Sequence, residues 1–275
     1  MSRLVLVATP IGNLGVLAPR AIEEFRRAGL VCCEDTRRTG LLLNNLGIDA
    51  TLMRLDDHTE VPSIPRVIDA LNDGRDVVLA TDAGTPGVSD PGQRLVAAVI
   101  AAGHTVTAVP GASAVLTALT ISGLPTDRFV FEGFLPRAGK ERAIRLAEVA
   151  AEPRTTVLYE APHRIERTLT DLVTACGADR PAALARELTK IHEEVIRGSL
   201  AEILAGLGEP RGEYVIVLAG APIAPAATLS EIESMVRAEL ARGSSTRDAA
   251  AAVATTTGAP KKSVYEIAVA LAKEI

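Results

Sequence analysis

The chain has 275 residues, 48% of them hydrophobic and 23% charged, a balance that supports a sizeable core and excludes intrinsic disorder. The formal net charge is −5 and aromatic residues make up only 3%, with no Trp, which excludes an aromatic stacking platform for nucleic acid. Any phosphate contact then falls to Arg, Lys and backbone groups.

In chain order, short apolar runs recur at Leu4–Ala8, Val77–Ala80, Thr105–Val109, Thr155–Tyr159, Ala182–Ala185 and Tyr214–Ala219. Each is continuous rather than alternating and is closed by turn residues, the pattern of strands covered on both faces. Between them, 63–73, 91–102 and 163–175 read as helices, and 91–102 carries Leu95, Val96, Val99 and Ile100 on one stripe. This alternation predicts an α/β protein with a largely parallel sheet. A break at Gly123-Leu124-Pro125-Thr126 divides it into two α/β domains, 1–122 and 123–221, with a cleft expected between them. A second break, Ala221 to Ala227, contains Pro222 and Pro225. Beyond it, Thr228-x-x-Glu231, Ser245-x-x-Asp248 and Ser263-x-x-Glu266 read as capping boxes opening three short helices. They predict a helical extension over 228–275, of helix-turn-helix type or a plain packing element.

Cys32, Cys33 and Cys176 have the spacing of neither a zinc site nor a disulfide framework, so no metal and a reducing cytoplasm are expected. The N-terminus lacks a signal-peptide pattern, and the apolar stretch 95–102 is far shorter than the roughly 20 residues that cross a bilayer, so a soluble protein is expected.

Three loops carry the chemical signal. Val7 to Gly15 follows the first strand with two glycines but is not a G-x-G-x-x-G fingerprint. The segment 82–92, DAGTPGVSDPG, packs three glycines, two prolines and two aspartates directly behind a strand, where α/β sheets hold ligands. The third, VPGASA at 109–114, opens a helix whose free N–H groups suit a carboxylate or a polar ligand edge. Glu34-Asp35-Thr36-Arg37-Arg38 adds a charged cluster whose acids could orient a ribose and whose arginines could grip phosphate. A helix N-cap explains Asp35 equally well. Residues 137–145 are locally basic, with Arg137, Lys140, Arg142 and Arg145 against Glu141.

These loops, together with CCEDTRRT (32–39), GLPTDRFVFEGFLPR (123–137), LYEAPHRI (158–165) and ARELTKIHEEVIRG (185–198), resemble the tetrapyrrole-methylase-like class of S-adenosylmethionine-dependent methyltransferases. Within it they are similar to the bacterial small-subunit rRNA cytidine 2′-O-methyltransferases, and the tail more loosely resembles the helical extension of that group. The resemblance implies two α/β domains, a homodimer, and a bent S-adenosylmethionine in the interdomain cleft. It further implies 2′-O-methylation of a cytidine ribose in the decoding centre of 16S ribosomal RNA. By position, the cofactor contacts fall on Ile11, Asp82, Gly84, Ser113, Ala114, Tyr159, Ala185 and Leu218. The sequence departs from the pattern at Ala112, where a stiffer residue such as Pro is expected, and at Ala161.

A sulfonium methyl is already activated, so the protein contributes alignment and a base for the hydroxyl proton. Glu160, Glu187 and Lys190, just after second-domain strands, are the candidate bases or positioning groups. A lysine base requires a depressed pKa; alternatively Glu187 and Lys190 pair on a helix surface. Arg37, Arg38, His163, Arg164 and Arg186 are the candidate RNA contacts, and His163 could also accept a proton. The competing readings are a small-molecule methyltransferase acting on a tetrapyrrole and a non-catalytic ribosome-binding factor. With net charge −5, weak binding to free RNA and dependence on a preformed ribosomal surface are expected.

Overall fold

Val- and Leu-rich runs set the first sheet. In a computed structural model of the chain, which describes residues 2–222 and 227–272, they form β1 (Arg3–Val7), β2 (Leu30–Cys33), β3 (Leu52–Arg54), β4 (Val77–Ala80) and β5 (Thr105–Val109). The helices between them are α1 (Pro19–Arg27), α2 (Thr36–Asn45), α3 (Glu60–Asn72) and α4 (Gln93–Ala101), with α5 (Ala114–Ser122) following β5. The strand order is β3-β2-β4-β1-β5 and every pairing is parallel. One face is covered by α1 and α2, through Ala21, Phe25 and Leu43. The other is covered by α3 and α4, through Val67, Leu71, Leu95 and Val99. This two-sided burial is why the strands read as unbroken apolar runs. The connection from β1 runs one way along the sheet and that from β4 runs the other. The carboxyl ends of β1 and β4 therefore flank a topological switch point, where such sheets hold ligands.

The second sheet comprises β6 (Phe129–Phe134), β7 (Thr155–Glu160), β8 (Pro181–Arg186), β9 (Glu194–Ser199) and β10 (Tyr214–Leu218), in the order β6-β7-β10-β8-β9. Here the expectation of a largely parallel sheet is corrected. Only β6 and β7 run parallel; the β7–β10, β10–β8 and β8–β9 pairs are antiparallel. The misreading has a physical cause, because burial on both faces, not strand direction, produces a continuous apolar run. The helices α6 (Gly139–Ala151), α7 (Ile165–Cys176) and α8 (Leu200–Ala205) cover one face, around Leu158, Leu169, Leu184 and Ile216. The other face is covered by α5, which packs Val115, Ala118 and Leu119 against Val157, Ala183, Val215 and Val217. All five residues of β10 are buried as a result. Each such aliphatic side chain contributes about 1.5–3 kcal/mol of burial.

Cys32 and Cys33 lie fully buried on β2. Burial pushes the Cys32 thiol up to about 12 and raises that of Cys33 as well. A thiol-titrating reagent is therefore expected to find neither in the native protein and all three cysteines after denaturation. Rapid native labelling of Cys32 would contradict this packing.

Residues Met1–Ala221 form one compact unit and Pro222–Ile275 a second. The second is described by α9 (Leu229–Ala241), α10 (Thr246–Thr257) and α11 (Lys261–Leu271), packed around Ile232, Val236, Ala250, Val253, Val264 and Ala268. Thr228 and Glu231 form the expected capping box, and Ser245 caps α10 by accepting from the Asp248 N–H. The box expected at Ser263 and Glu266 is absent. Pro260, with φ −56°, starts α11 before Ser263, leaving Ser263 inside the first turn. Of the break at 221–227, residues 223–226, including Pro225, lie outside the described residues. Among the described residues, no helix is long and apolar enough to cross a membrane.

Candidate active site

The three glycine-rich loops meet at the switch point. Thr9 and Gly84 form an isolated bridge, the Thr9 N–H donating to the Gly84 carbonyl at 2.8 Å and the Gly84 N–H to the Thr9 carbonyl at 3.1 Å. Gly84 holds this bridge at φ +89°, a conformation only glycine adopts without strain. The Thr9 hydroxyl donates to the Thr81 carbonyl at 3.0 Å, and the Thr81 hydroxyl donates to Asp90 at 2.7 Å. At its far end the loop is held from outside. Oε1 of Glu60, a buried residue at the start of α3, accepts from the N–H groups of Gly92, Arg94 and Leu95 at 3.0, 2.8 and 3.0 Å, capping α4 in place of a local residue. Ser113 is the N-cap of α5 and accepts from the Leu116 N–H.

Facing these loops are Phe134 from β6, Tyr159 and Glu160 from β7, and Tyr214 and Val215 from β10. Together they enclose a cavity of about 390 Å³, within the range of small-molecule sites. Ile11, Asp82, Gly84, Ser113, Ala114 and Tyr159, named from the sequence, all line it, as do Glu160 and Arg38. Tyr159 carries Phe131 and Phe134 against its ring, with centroids 5.0 and 5.6 Å away. Burial pushes its phenol up to about 12, so it stays neutral. A second, open depression of about 790 Å³ shares Glu34, Arg38 and Asp82 with this cavity and continues along Arg37, Arg54, Asp57 and His58.

Two expected cofactor residues stand elsewhere. Ala185 is buried in the core formed with α5, and Leu218 lies in the core on the opposite, helix-covered face of the second sheet. Neither lines the cavity.

The candidate bases are heavily engaged. Glu160 accepts from the Ala161 N–H at 2.9 Å and the Thr168 hydroxyl at 2.6 Å, and pairs with Arg164 Nε at 3.1 Å, so both its oxygens are committed. Glu187 and Lys190 do pair, at 2.9 Å, but on the β8–β9 hairpin loop rather than on a helix. Lys190 Nζ also meets Glu213 at 2.9 Å. Partial burial works against the ammonium, yet the two carboxylates outweigh it and hold the Lys190 pKa above its usual value. That is the opposite of what a lysine base requires. The hydrogen bond from Lys190 likewise lowers Glu187. This hairpin crosses to the first loop, where the Asn13 N–H donates to Thr189 Oγ1 at 3.2 Å. A Cβ on Gly12 would run into the Lys190 side chain.

The candidate RNA contacts also divide. Arg37 is exposed and clamped on Asp35, the N-cap of α2, and Arg38 is exposed with Nη1 3.4 Å from Asp82. His163 is exposed. Arg164 is largely buried and donates to the Leu135 carbonyl at 2.6 Å, a structural role. Arg186 pairs with Glu194 at 2.8 Å and lines a separate cavity with Leu184 and Ile196. Of the basic 137–145 stretch, Arg142 is buried against Asp171, Thr168 and the Pro136 carbonyl, and Arg145 pairs with Glu132 and Glu148. These two charges are consumed internally.

Sequence reasoning did not single out Glu60, Asp90, Phe134 or Glu213. Glu60 and Glu213 act on partners more than 20 residues away, so no local spacing marks them. Burial, opposed by the Thr81 hydroxyl, raises the Asp90 carboxyl. Burial and then Asp90, Asp82, Asp57 and Asp56 raise Glu34. Both acids therefore titrate higher in the folded than in the unfolded chain. They favour the fold while protonated, and that advantage is lost as pH rises through their raised values. Glu34→Gln is expected to raise the melting temperature at about pH 8 and to leave it nearly unchanged below about pH 4. An unchanged melting temperature at the higher pH would refute the burial assigned to Glu34.

Residues 3–204 match the model of tetrapyrrole (corrin/porphyrin) methylases, and 226–272 match that of the RsmI C-terminal HTH domain. A relative from Synechocystis, "Ribosomal RNA small subunit methyltransferase I", is 43% identical over 98% of this chain and 99% of its own. One of the same name from Mycobacterium tuberculosis is 47% identical over 92% of this chain and 89% of its own. Among solved structures, uroporphyrin-III C-methyltransferase from Thermus thermophilus, complexed with S-adenyl homocysteine, aligns with TM-score 0.57 and 18% identity, covering 80% of this chain and 97% of that one. The chain belongs to the tetrapyrrole methylase family, and with it to the methyltransferases.

Proposed function

We propose that this protein transfers the methyl group of S-adenosylmethionine to the 2′-hydroxyl of a cytidine ribose in 16S ribosomal RNA, acting in the cytoplasm as a homodimer on the small ribosomal subunit. The observation that carries the reading is the junction of two concavities. A bounded cavity of about 390 Å³ opens at Glu34, Arg38 and Asp82 into a wider depression carrying Arg37, Arg54 and His58. The first suits a methyl donor. Its lining mixes apolar Ile11, Val88 and Val215 with the acids Asp82 and Asp90, matching a ligand that joins a nucleoside to a sulfonium cation. Gly84 leaves its wall open where a side chain would intrude. The second presents the exposed guanidinium groups of Arg37 and Arg38, which suit individual phosphate contacts, beside the acids Glu34, Asp35, Asp56, Asp57 and Asp82. The relatives' name, small subunit rRNA methyltransferase, and the S-adenyl homocysteine in the Thermus neighbour support the same assignment.

Arg164 and Arg186 are left out of the proposed RNA surface, which rests on Arg37, Arg38 and exposed His163. Glu160 acts by fixing the β7–α7 turn, and the Glu187–Lys190–Glu213 cluster by holding the hairpin across the first loop. The test is methyl transfer from labelled S-adenosylmethionine to small subunits lacking ribose methylation, to naked rRNA and to a tetrapyrrole. Label on one cytidine ribose of the subunit is the expected result. Label on the tetrapyrrole alone would overturn it.

A further inference from the structure

We propose that Glu34 is the general base that removes the 2′-hydroxyl proton, an inference that rests on the reaction proposed above. Five acids line the proposed methyl-donor cavity: Glu34, Asp82, Asp90, Glu160 and Glu213. Four are engaged. Asp82 accepts from the Asp35 N–H and faces Arg38, Asp90 accepts from Thr81, Glu160 holds three partners, and Glu213 holds Lys190. Among the described residues, no hydrogen bond or ion pair engages the Glu34 carboxylate. It is half-buried at the carboxyl end of β2 and lines both concavities at the point where they join. A base must reach the attacking hydroxyl from the acceptor side while the donor lies beyond it, and this junction is where the two meet.

The surroundings suit the task. Facing Glu34 are Asp82 and Asp90 from the β4–α4 loop and Asp56 and Asp57 from the β3–α3 loop, and their charges, after burial itself, raise its affinity for a proton. Arg38, the cation lining both concavities, is turned to Asp82. A carboxylate whose proton affinity is raised this way is a stronger base than a free one. In the step, the ribose oxygen forms its bond to the methyl carbon as the carbon–sulfur bond breaks. The bonding pair passes to sulfur, which becomes a neutral thioether, and the hydroxyl proton passes to Glu34 and then to water.

The test uses the full chain, small subunits lacking ribose methylation, and labelled S-adenosylmethionine. Wild type, Glu34→Gln and Glu34→Asp are compared in kcat against pH, with S-adenosylhomocysteine affinity and melting temperature measured alongside. Glu34→Gln is expected to lose about 10²–10⁴-fold in kcat with affinity for the thioether product nearly unchanged, and to lose the acidic limb of the kcat profile. Glu34→Asp is expected to recover part of the rate and to keep that limb. A folded Glu34→Gln variant with kcat within about tenfold of wild type and an unchanged acidic limb overturns the assignment while leaving the proposed reaction standing. A wild-type protein that labels no RNA overturns the reaction, and the assignment with it.

Discussion

Replacement of Glu60 by leucine is expected to lower the unfolding free energy by about 3 kcal/mol or more, the largest effect of any single side chain around the site. The Glu60 side chain is 3% exposed, and one of its oxygens accepts from the Gly92, Arg94 and Leu95 N–H groups at the first turn of α4. Leucine fits the volume and removes the acceptor, leaving the buried Gly92 and Leu95 N–H groups without partners. Each unmet buried donor costs about 1–3 kcal/mol, and the negative charge at a helix N-terminus is lost as well. Glu60→Gln keeps an acceptor oxygen and is expected to cost about 1 kcal/mol. Denaturant unfolding of the two variants measures the difference; a leucine variant within about 1 kcal/mol of wild type would show that α4 is capped by other means. Because α4 begins where the 82–92 loop ends, the same variant is also expected to weaken binding at the cavity.

Gly84→Val is expected to weaken S-adenosylhomocysteine binding by at least about a hundredfold, near 2.7 kcal/mol. Two causes combine. At φ +89° a β-branched residue is strained by about 1–3 kcal/mol, which strains the Thr9–Gly84 bridge. Its side chain also projects beside Ile11, whose Cγ2 lies 3.6 Å from the Cβ position, into the donor cavity. Gly103→Val is the control, since Gly103 has a similar φ of +81° and nothing near its Cβ position. Titration calorimetry should find Gly103→Val binding normally. Equal loss in both variants would make general destabilisation by positive-φ strain, not a change at the cavity wall, the cause.

The sequence was most informative where local chemistry is dense. The 82–92 loop, the first loop and the start of α5 could be located because glycine and proline mark the ends of strands, and the structure brings all three to one cavity. The direction of the second sheet was not legible. Nothing in TTVLYE or YVIVL encodes whether a neighbour runs parallel, and α5 masks the alternation that would have exposed one face. Pairing was equally hidden. Arg142, Arg145 and Arg186 read as free cations because Asp171, Glu132 and Glu194 reach them only through the fold, whereas Glu160 lies just four residues before Arg164 but in a strand, where no helical spacing marks the pair. Asp82, Asp90 and Glu213 are distinguished from Glu34 only by partners that the fold brings to them, and partner lists are what a linear chain does not display.

One helix has a consequence for how this protein can be divided. The N-terminal end of α5 belongs to the third cavity loop, while its apolar side forms the buried cover of the second sheet. A chain cut after residue 122 would carry Val115, Ala118 and Leu119 bare into water, and its complement would expose Val157, Val215 and Val217. Neither fragment is a self-sufficient folding unit, so protease nicking near Gly123 should leave two pieces that remain clasped, and gene fusions or swaps between relatives should succeed only when α5 travels with the sheet it covers.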